Sequence, residues 1–437
     1  MRIAAIRARL GQMLAHPAIF LLGVNAVCAI LGLAQFAYTL AILRPVDFAV
    51  IGVLAAIGGV MTGLLDLKLA DLTTRLFFAV PKSEPERRGA LLAASLVLHV
   101  AMGLAASALA YGAAILAAPR LLTAAPELWW IAVMATRLGS VYPMAALTTF
   151  LRLLGAFQVS GWFRLATQTA STAITIVALS ISPDLTGYFA GAAAVTVLTL
   201  VTAMATAALH VRGVLGSPLV YMPRSGAFRA FFASGFFLAG GSLAGVSKLL
   251  SRSCDTLIVA SFGNDTLTGL YRVARQGYDT LAGVTDAVHQ FYTPTIVDCV
   301  TRGRWAEFRK HRNRLMLMGL AAVLGAVLGS WYVLRPLATT YYPQYSPALT
   351  AFEIFAPLLF VTLGIHGWLW PALVASGRIW CFGVLGILGA LVQLGALALL
   401  TRFGPFDLGI AAMTAWLMAA TNYGPLLAER FSQRARK

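Results

Sequence analysis

A membrane-spanning helix needs about twenty consecutive, mostly apolar residues, and the chain supplies twelve such stretches. They cover approximately residues 19–43, 47–77, 89–118, 127–150, 160–182, 186–209, 233–262, 268–293, 314–334, 349–375, 379–401 and 408–428. The breaks between them fall on proline, glycine or charge, as at Arg44-Pro45, Pro119-Arg120, Pro183-Asp184, Gly263-Asn264-Asp265, Arg335-Pro336 and Gly404-Pro405. The pattern predicts an all-α polytopic membrane protein of about twelve transmembrane helices in two six-helix lobes around a central cavity. Residues 1–18 read as a basic cytoplasmic N-terminus, 19–210 as an N-lobe and 211–232 as a cytoplasmic linker. Residues 233–428 read as a C-lobe and 429–437 as a basic cytoplasmic tail. The basic start followed by 19–43 reads as a retained first helix, not a cleaved signal.

Composition agrees. The chain is 59% hydrophobic and 11% charged, with a mean hydropathy of +0.80, whereas soluble domains carry about 25% charged residues. The net charge of +17 would suit nucleic acid in a polar chain. Here the basic residues sit between apolar runs and set orientation instead. Twenty-two of them fall in loops on one side of the twelve-helix arrangement and four, Arg44, Arg120, Arg335 and Arg402, on the other. That alternation places both termini in the cytoplasm; the expected setting is a bacterial inner membrane. The longest loops are cytoplasmic, about 210–232 and 294–313; the second, strongly basic, is expected at the lipid headgroups. Four separate cysteines, Cys28, Cys254, Cys299 and Cys381, imply neither a disulfide framework nor a metal site.

An internal repeat supports two halves. Residues 44–66 and 264–286, offset by 220, each give a polar turn, a helix and then an aspartate, with Ala49 on Gly269, Ile51 on Tyr271 and Asp66 on Asp286.

Ionisable residues at membrane depth cost free energy and normally face protein or a watery cavity. The eighth stretch carries Arg272, Arg275, Asp279, Asp286 and His289. Spacings of 3, 4 and 7 put the first four within roughly 60° of one another. In the seventh, Lys248, Arg252 and Asp255 share one face. In the second stand Asp66, Lys68, Asp71 and Arg75, the last three on one side. Arg137, Arg164 and Glu353 are further internal charges, and His99 and His366 read as isolated packing histidines. Two readings stay open: the charges pair and pin helices together, or the stripes line a water-filled cavity. The cavity would be zwitterionic. Arg272, Arg275, Lys248 and Arg252 would contact an anion, and Asp255, Asp279, Asp286, Asp66, Lys68, Asp71 and Arg75 would serve coupling or line the cavity. No phosphate-binding loop, zinc signature or nucleophile elbow is present, so the chain reads as no enzyme, with no cofactor and no metal.

Three stretches carry a resemblance to a known family: LAILRPVDFAVIGVLAAIGGVMTGLLDLKLADLTTR, CDTLIVASFGNDTLTGLYRVARQGYDTLAGVTDAVHQFYTPTIV and YSPALTAFEIFAPLLF. Together they resemble the polysaccharide (Wzx-type) flippases of the multidrug/oligosaccharidyl-lipid/polysaccharide exporter superfamily. Asp66, Arg75, Asp255, Gly263, Gly269, Tyr271 and Pro294 match that pattern. The glycines usual in the first turn and after the first aspartate are here Ala49 and Lys68. The resemblance implies two six-helix lobes that open alternately. It implies transport of an undecaprenyl-pyrophosphate-linked oligosaccharide from the cytoplasmic to the periplasmic leaflet for O-antigen, capsule or exopolysaccharide synthesis. Tyr271 and Tyr278 would stack on sugars or, equally, anchor the helix at the membrane interface. The partners implied are the lipid-linked oligosaccharide, membrane lipids, and a polysaccharide polymerase with glycosyltransferases. A cation-coupled multidrug antiporter of the same superfamily, a membrane-bound glycan-modifying enzyme and a membrane scaffold are the alternatives.

Overall fold

A computed structural model describes residues 17–81, 83–215, 225–376 and 379–403, with 409, 413–417, 419–421 and 423. The basic N-terminus, the C-terminal tail and linker residues 216–224 lie outside the described residues. So do the side chains of Lys248, Arg252 and Asp286.

The described chain is helical, with no strand among the described residues. The helices are α1 (Pro17–Ile42), α2 (Pro45–Leu64), α3 (Leu69–Ala79), α4 (Pro85–Leu121), α5 (Leu128–Gly139), α6 (Val141–Leu153), α7 (Phe157–Ile181), α8 (Leu185–Leu215) and α9 (Ser225–Phe232). They continue as α10 (Gly235–Leu249), α11 (Asp255–Phe262), α12 (Asp265–Thr301), α13 (Trp305–Gly329), α14 (Arg335–Tyr341), α15 (Ser346–Phe355), α16 (Gly367–Ala375) and α17 (Ile379–Phe403). Three π-helical segments, Leu250–Cys254, Ser330–Leu334 and Phe360–His366, join α10 to α11, α13 to α14, and the region after α15 to α16.

The first eleven predicted stretches all coincide with helix, and the described residues of the twelfth are helical too. Among the described residues, seven helical stretches are long and apolar enough to cross a membrane, including Pro45–Ala79, Pro85–Leu121 and Trp305–Tyr341. The 37-residue α12 is not one of these by composition, because it carries Arg272, Arg275, Asp279 and Asp286 within its length.

Two sequence expectations need correction. The second stretch is not one helix: it breaks after Leu64, and Lys68 turns the chain with φ 52° and ψ 37° before α3 begins. The left-handed region costs a side-chain-bearing residue roughly 1–2 kcal/mol. Lys68 is also where the resembling family carries glycine, so the structure supplies the reason for that glycine. The basic loop 294–313 is mostly helix as well. Helix α12 continues to Thr301 and α13 starts at Trp305, leaving a turn with Gly303 at φ 67°. Polar residues end an apolar run without ending the helix, and Asp298, Arg302, Arg304 and Glu307 pair across this turn.

The chain clusters into two compact units, each assembled from separate segments. One comprises Met1–Thr39, Lys68–Ala105 and Thr136–Leu238, the other Leu40–Leu67, Ala106–Ala135 and Ala239–Lys437. In the first, Gln35 Nε2 donates to Thr175 Oγ1 at 2.9 Å, and the Thr73 and Ser95 hydroxyls meet at 2.6 Å. His99 is buried there with Nδ1 2.7 Å from the Ser95 carbonyl, a packing histidine as read from the sequence. A mostly apolar cavity of about 710 Å³ opens in this unit between the end of α3, the start of α4 and α9, with Glu84, Glu86 and Arg87 on its wall.

The second unit is organised by α2 against α12. Their starts, Pro45 and Asp265, stand 220 residues apart, as the repeat requires. Asp47 accepts the Arg44 backbone N–H at 2.8 Å, and Asn264 accepts that of Leu267 at 2.8 Å, so each start is capped by a side chain. The two helices meet through residues equivalent in the repeat. A Cβ on Gly269 would lie 1.7 Å from the Pro45 oxygen and 3.2 Å from the Ala49 nitrogen, and one on Gly52 would lie 2.9 Å from Arg272 Cγ. Position 49 pairs with 269 and 52 with 272, the register expected when two copies of one element face each other. Gly59 and Gly63 extend the close approach along α2, against Ser253 and Leu249.

Candidate functional site

Residues 40–67 of the first stretch that carries the family resemblance, and the whole of the other two, belong to this second unit. Helices α2 and α12 pack as described. The Tyr345 hydroxyl, just before α15, donates to the Leu43 carbonyl, and its ring meets Phe48 edge-on at 5.7 Å.

Behind the α2–α12 contact lies a buried polar network. Asp255, the first residue of α11, follows directly on the π-helical segment Leu250–Cys254. It is 0% exposed. Its Oδ2 accepts the Tyr271 hydroxyl at 2.7 Å and faces Arg275 Nη1 at 3.8 Å. Its Oδ1 accepts the Thr256 backbone N–H at 2.6 Å and the Thr256 hydroxyl at 3.3 Å. Arg275 is 5% exposed. Its Nε stands 3.8 Å from Asp279 Oδ2, and its guanidinium lies over the rings of Tyr278 at 5.5 Å and Phe355 at 5.4 Å. The Tyr278 hydroxyl is 2.9 Å from Thr362 Oγ1, inside the π-helical segment Phe360–His366.

This geometry follows from local structure. A helix brings residues three and four apart onto one face, so Tyr271, Arg275, Tyr278 and Asp279 stack down α12. A buried charge is tolerated when paired and hydrogen-bonded, and Asp255 has every oxygen engaged. Two carboxylates against one guanidinium leave a formal charge of −1. Arg272, one turn before Arg275 on the same side, brings the set to neutrality.

Of the two readings left open by the sequence, this part of the face follows the pairing one: Asp255, Tyr271 and Arg275 are buried, with their polar groups engaged across α11 and α12. Tyr271 is fully buried with its hydroxyl spent, and Tyr278 is buried too, so neither ring presents a face to solvent in this state. Exposure returns toward the margins. The Asp279 side chain is 33% exposed and Arg272 is half-buried. Arg272 Nε and Asp279 Oδ1 are themselves buried atoms with no hydrogen-bond partner. These two atoms, a donor and an acceptor, are the unspent capacity of the site.

The remaining expected residues are placed as follows. Asp66 ends the α2 limb, its Oδ2 3.5 Å from where a Cβ on Gly245 of α10 would be. Lys68, Asp71 and Arg75 belong to the first unit, with Asp71 and Arg75 exposed. Glu353 is spent on Arg335, at 2.9 and 3.0 Å, and on the Ser330 hydroxyl at 2.9 Å. His366 is not isolated: His289 stands 5.7 Å away, ring centre to ring centre. Thr256, Phe355 and Thr362 complete the network and were not singled out in the sequence. Phe355 lies in the third resembling stretch, which was a usable signal; nothing in the sequence marks a π-helical turn.

No family model matches the chain, and no curated protein matches it in sequence. Solved structures do match. One is the inward-facing form of a multidrug resistance MATE family transporter of the MOP superfamily, with TM-score 0.69 and 15% identity, covering 96% of this chain and 98% of that one. A second is a variant of the Vibrio cholerae MATE transporter VcmN, with TM-score 0.63 and 15% identity, covering 98% of each. A third is the lipid II flippase MurJ in an inward closed conformation, with TM-score 0.57 and 13% identity, covering 92% of this chain and 87% of that one. Across nearly its whole length, the chain has the fold shared by the MATE transporters and MurJ.

Proposed function

We propose that the chain is a transporter that moves an undecaprenyl-pyrophosphate-linked oligosaccharide from the cytoplasmic to the periplasmic leaflet of a bacterial inner membrane. A sugar chain cannot cross hydrocarbon alone, since each unpaired hydroxyl costs about 2–7 kcal/mol to bury. Its carrier must offer donors and acceptors at membrane depth while the prenyl tail stays in lipid. The observation that carries this reading is the unsatisfied pair on α12, Arg272 Nε and Asp279 Oδ1. A guanidinium suits the pyrophosphate, and a carboxylate suits sugar hydroxyls. Arg275, locked between Asp255 and Asp279, then organises the site and need not touch cargo until the network opens. Likeness to a lipid II flippase favours lipid-linked cargo.

A second reading has an observation of its own. The MATE likeness is at least as close, and the network carries one more carboxylate than guanidinium until Arg272 is counted, which suits a cationic drug exchanged for an ion. Binding separates the two. Arg272→Ala should weaken binding of a prenyl-pyrophosphate glycan by about 10–100-fold, the equivalent of one charge-assisted hydrogen bond of roughly 1.5–3 kcal/mol, and leave binding of cationic dyes unchanged. If Arg272→Ala tightens dye binding and the glycan never bound, the antiporter reading replaces the flippase reading.

A further inference from the structure

Helix α13 divides lengthwise into a packed side and an open side. Phe308, Leu315 and Gly319 are buried, and a Cβ on Gly319 would fall 2.9 Å from the Gly364 nitrogen. At about 100° per residue these three lie within roughly 40° of one another. The opposite direction carries Lys310, Arg314, Leu317, Leu324 and Leu328, all exposed. Leu317 keeps 66% of its surface, and Leu324 and Leu328 keep 53% each. Of the seven apolar helical stretches among the described residues, Trp305–Tyr341 is the least buried. Exposed aromatic side chains stand at both ends of the stripe, Trp305 at the basic end and Trp331 and Tyr332 at the other, as residues at membrane interfaces do.

We propose that Lys310 and Arg314 hold the phosphate of an anionic phospholipid whose acyl chain lies along Leu317 and Leu324. The charges of the α12–α13 turn single out these two cations. Asp298 is taken by Arg302 and Arg304, and Glu307 by Arg304 at 2.8 Å. Arg312 is turned onto Asn313, and Arg309 leaves the helix about 100° away from Lys310. After Glu307 the sequence has no acidic residue until Glu353. Lys310 and Arg314 are positive neighbours one turn apart, and like charges at that spacing repel. A phosphate between them removes the repulsion and accepts from both heads, from the guanidinium through two parallel hydrogen bonds.

The apolar part of the stripe has the depth of one lipid leaflet. Arg314 to Leu324 spans about 15 Å along the axis, and half of a hydrocarbon core of roughly 30 Å is the same. Lysine and arginine stems lie along apolar surface with their heads at the polar boundary. The two cations, with Leu317 following on the same side, therefore meet a headgroup and the start of its chain together. A soluble anion would use the cations and leave the leucines uncovered. A second copy of this chain would have to bring a carboxylate to Lys310 and Arg314, whereas a leaflet holding anionic lipid supplies the charge at that depth. The stripe lies on the side of α13 away from Gly364, and the proposal holds whichever cargo is carried.

The test uses the purified full-length protein in detergent and counts bound lipid by native mass spectrometry. Dioleoyl phosphatidylglycerol is the anionic probe and dioleoyl phosphatidylcholine the zwitterionic one. The wild type should keep phosphatidylglycerol at concentrations where phosphatidylcholine is lost. Lys310→Gln with Arg314→Gln should weaken that binding by about 10-fold or more. Arg302→Gln with Arg309→Gln removes the same charge from the same turn but off the stripe, and should leave binding within about 2-fold. Glycerol phosphate, a headgroup without chains, should not displace the lipid. Equal retention of the two lipids, or equal loss in the two double variants, overturns the site. Displacement by glycerol phosphate makes it an anion site and sinks the lipid. A prenyl pyrophosphate that displaces phosphatidylglycerol at lower concentration, again through Lys310 and Arg314, gives the surface to cargo instead. A dimer by light scattering that Leu317→Gln dissociates gives it to a second copy. Circular dichroism confirms that each variant is folded; should a double variant unfold, Arg314→Gln alone decides, with a loss of about 3-fold or more expected.

Discussion

Replacing Asp255 by Asn tests whether the buried network holds α11 to α12 by charge. The substitution keeps shape and leaves an acceptor for the Tyr271 hydroxyl, but removes the charge facing Arg275. Arg275 is 5% exposed and cannot turn to water. Its other partner, Asp279, sits at 3.8 Å and is itself partly exposed. Removing one partner of a buried ion pair costs about 3–5 kcal/mol. With an unfolding entropy of roughly 2.1 cal/mol/K per residue, that cost lowers the melting midpoint of a chain this long by about 3–5 °C. The control is a double change, Asp255→Asn with Arg275→Met, which removes both charges and retains volume. It should recover most of the loss, with a coupling energy of about 2 kcal/mol or more across the cycle. The assay is thermal unfolding in detergent, followed by size-exclusion of the soluble fraction and repeated for all four species. A midpoint for Asp255→Asn within about 1 °C of the wild type would show that charge does not hold α11 to α12. So would a double variant no better than the single one, because the charge on Arg275 would then not be what the carboxylate neutralises.

Two further predictions concern the backbone. Gly269→Ala places a methyl group on the Pro45 carbonyl, which has no room to move, and should cost about 1–3 kcal/mol or abolish folding. Gly52→Ala meets only the flexible Arg272 side chain and should cost less; thermal midpoints in the reverse order would contradict the packing described. Lys68→Gly relieves a left-handed backbone and should be neutral or stabilising by up to about 1 kcal/mol, while Lys68→Val should destabilise by at least that much. A clear loss of stability in Lys68→Gly would mean that the lysine side chain outweighs the strain.

Much of this architecture was legible in the sequence, for reasons particular residues make plain. Pro45 and Asp265 announce helix starts, and their offset of 220 anticipates the register in which Ala49 meets Gly269 and Gly52 meets Arg272. The spacing of Arg272, Arg275 and Asp279 fixes a shared face because helical periodicity is local. What that face meets is not local. Asp255 and Tyr271 are sixteen residues apart on different helices, and nothing in their spacing tells pairing from lining a cavity. The break at Lys68 was hidden because no glycine or proline marks it. The helical residues 294–301 and 305–313 were hidden because apolarity measures the membrane and not the helix. His289 and His366 were seen separately, since only tertiary packing brings the end of a π-helical segment to α12.

The role proposed for α12 is the passage of an anionic, sugar-bearing lipid. Leaflet crossing in reconstituted vesicles measures it directly, using a fluorescent prenyl-pyrophosphate glycan and a membrane-impermeant quencher beside a parallel uptake assay with a cationic dye. The glycolipid should cross with the wild type and slow by about 10-fold or more with Arg272→Ala, and the dye should stay out. Dye movement without glycolipid crossing would contradict that role.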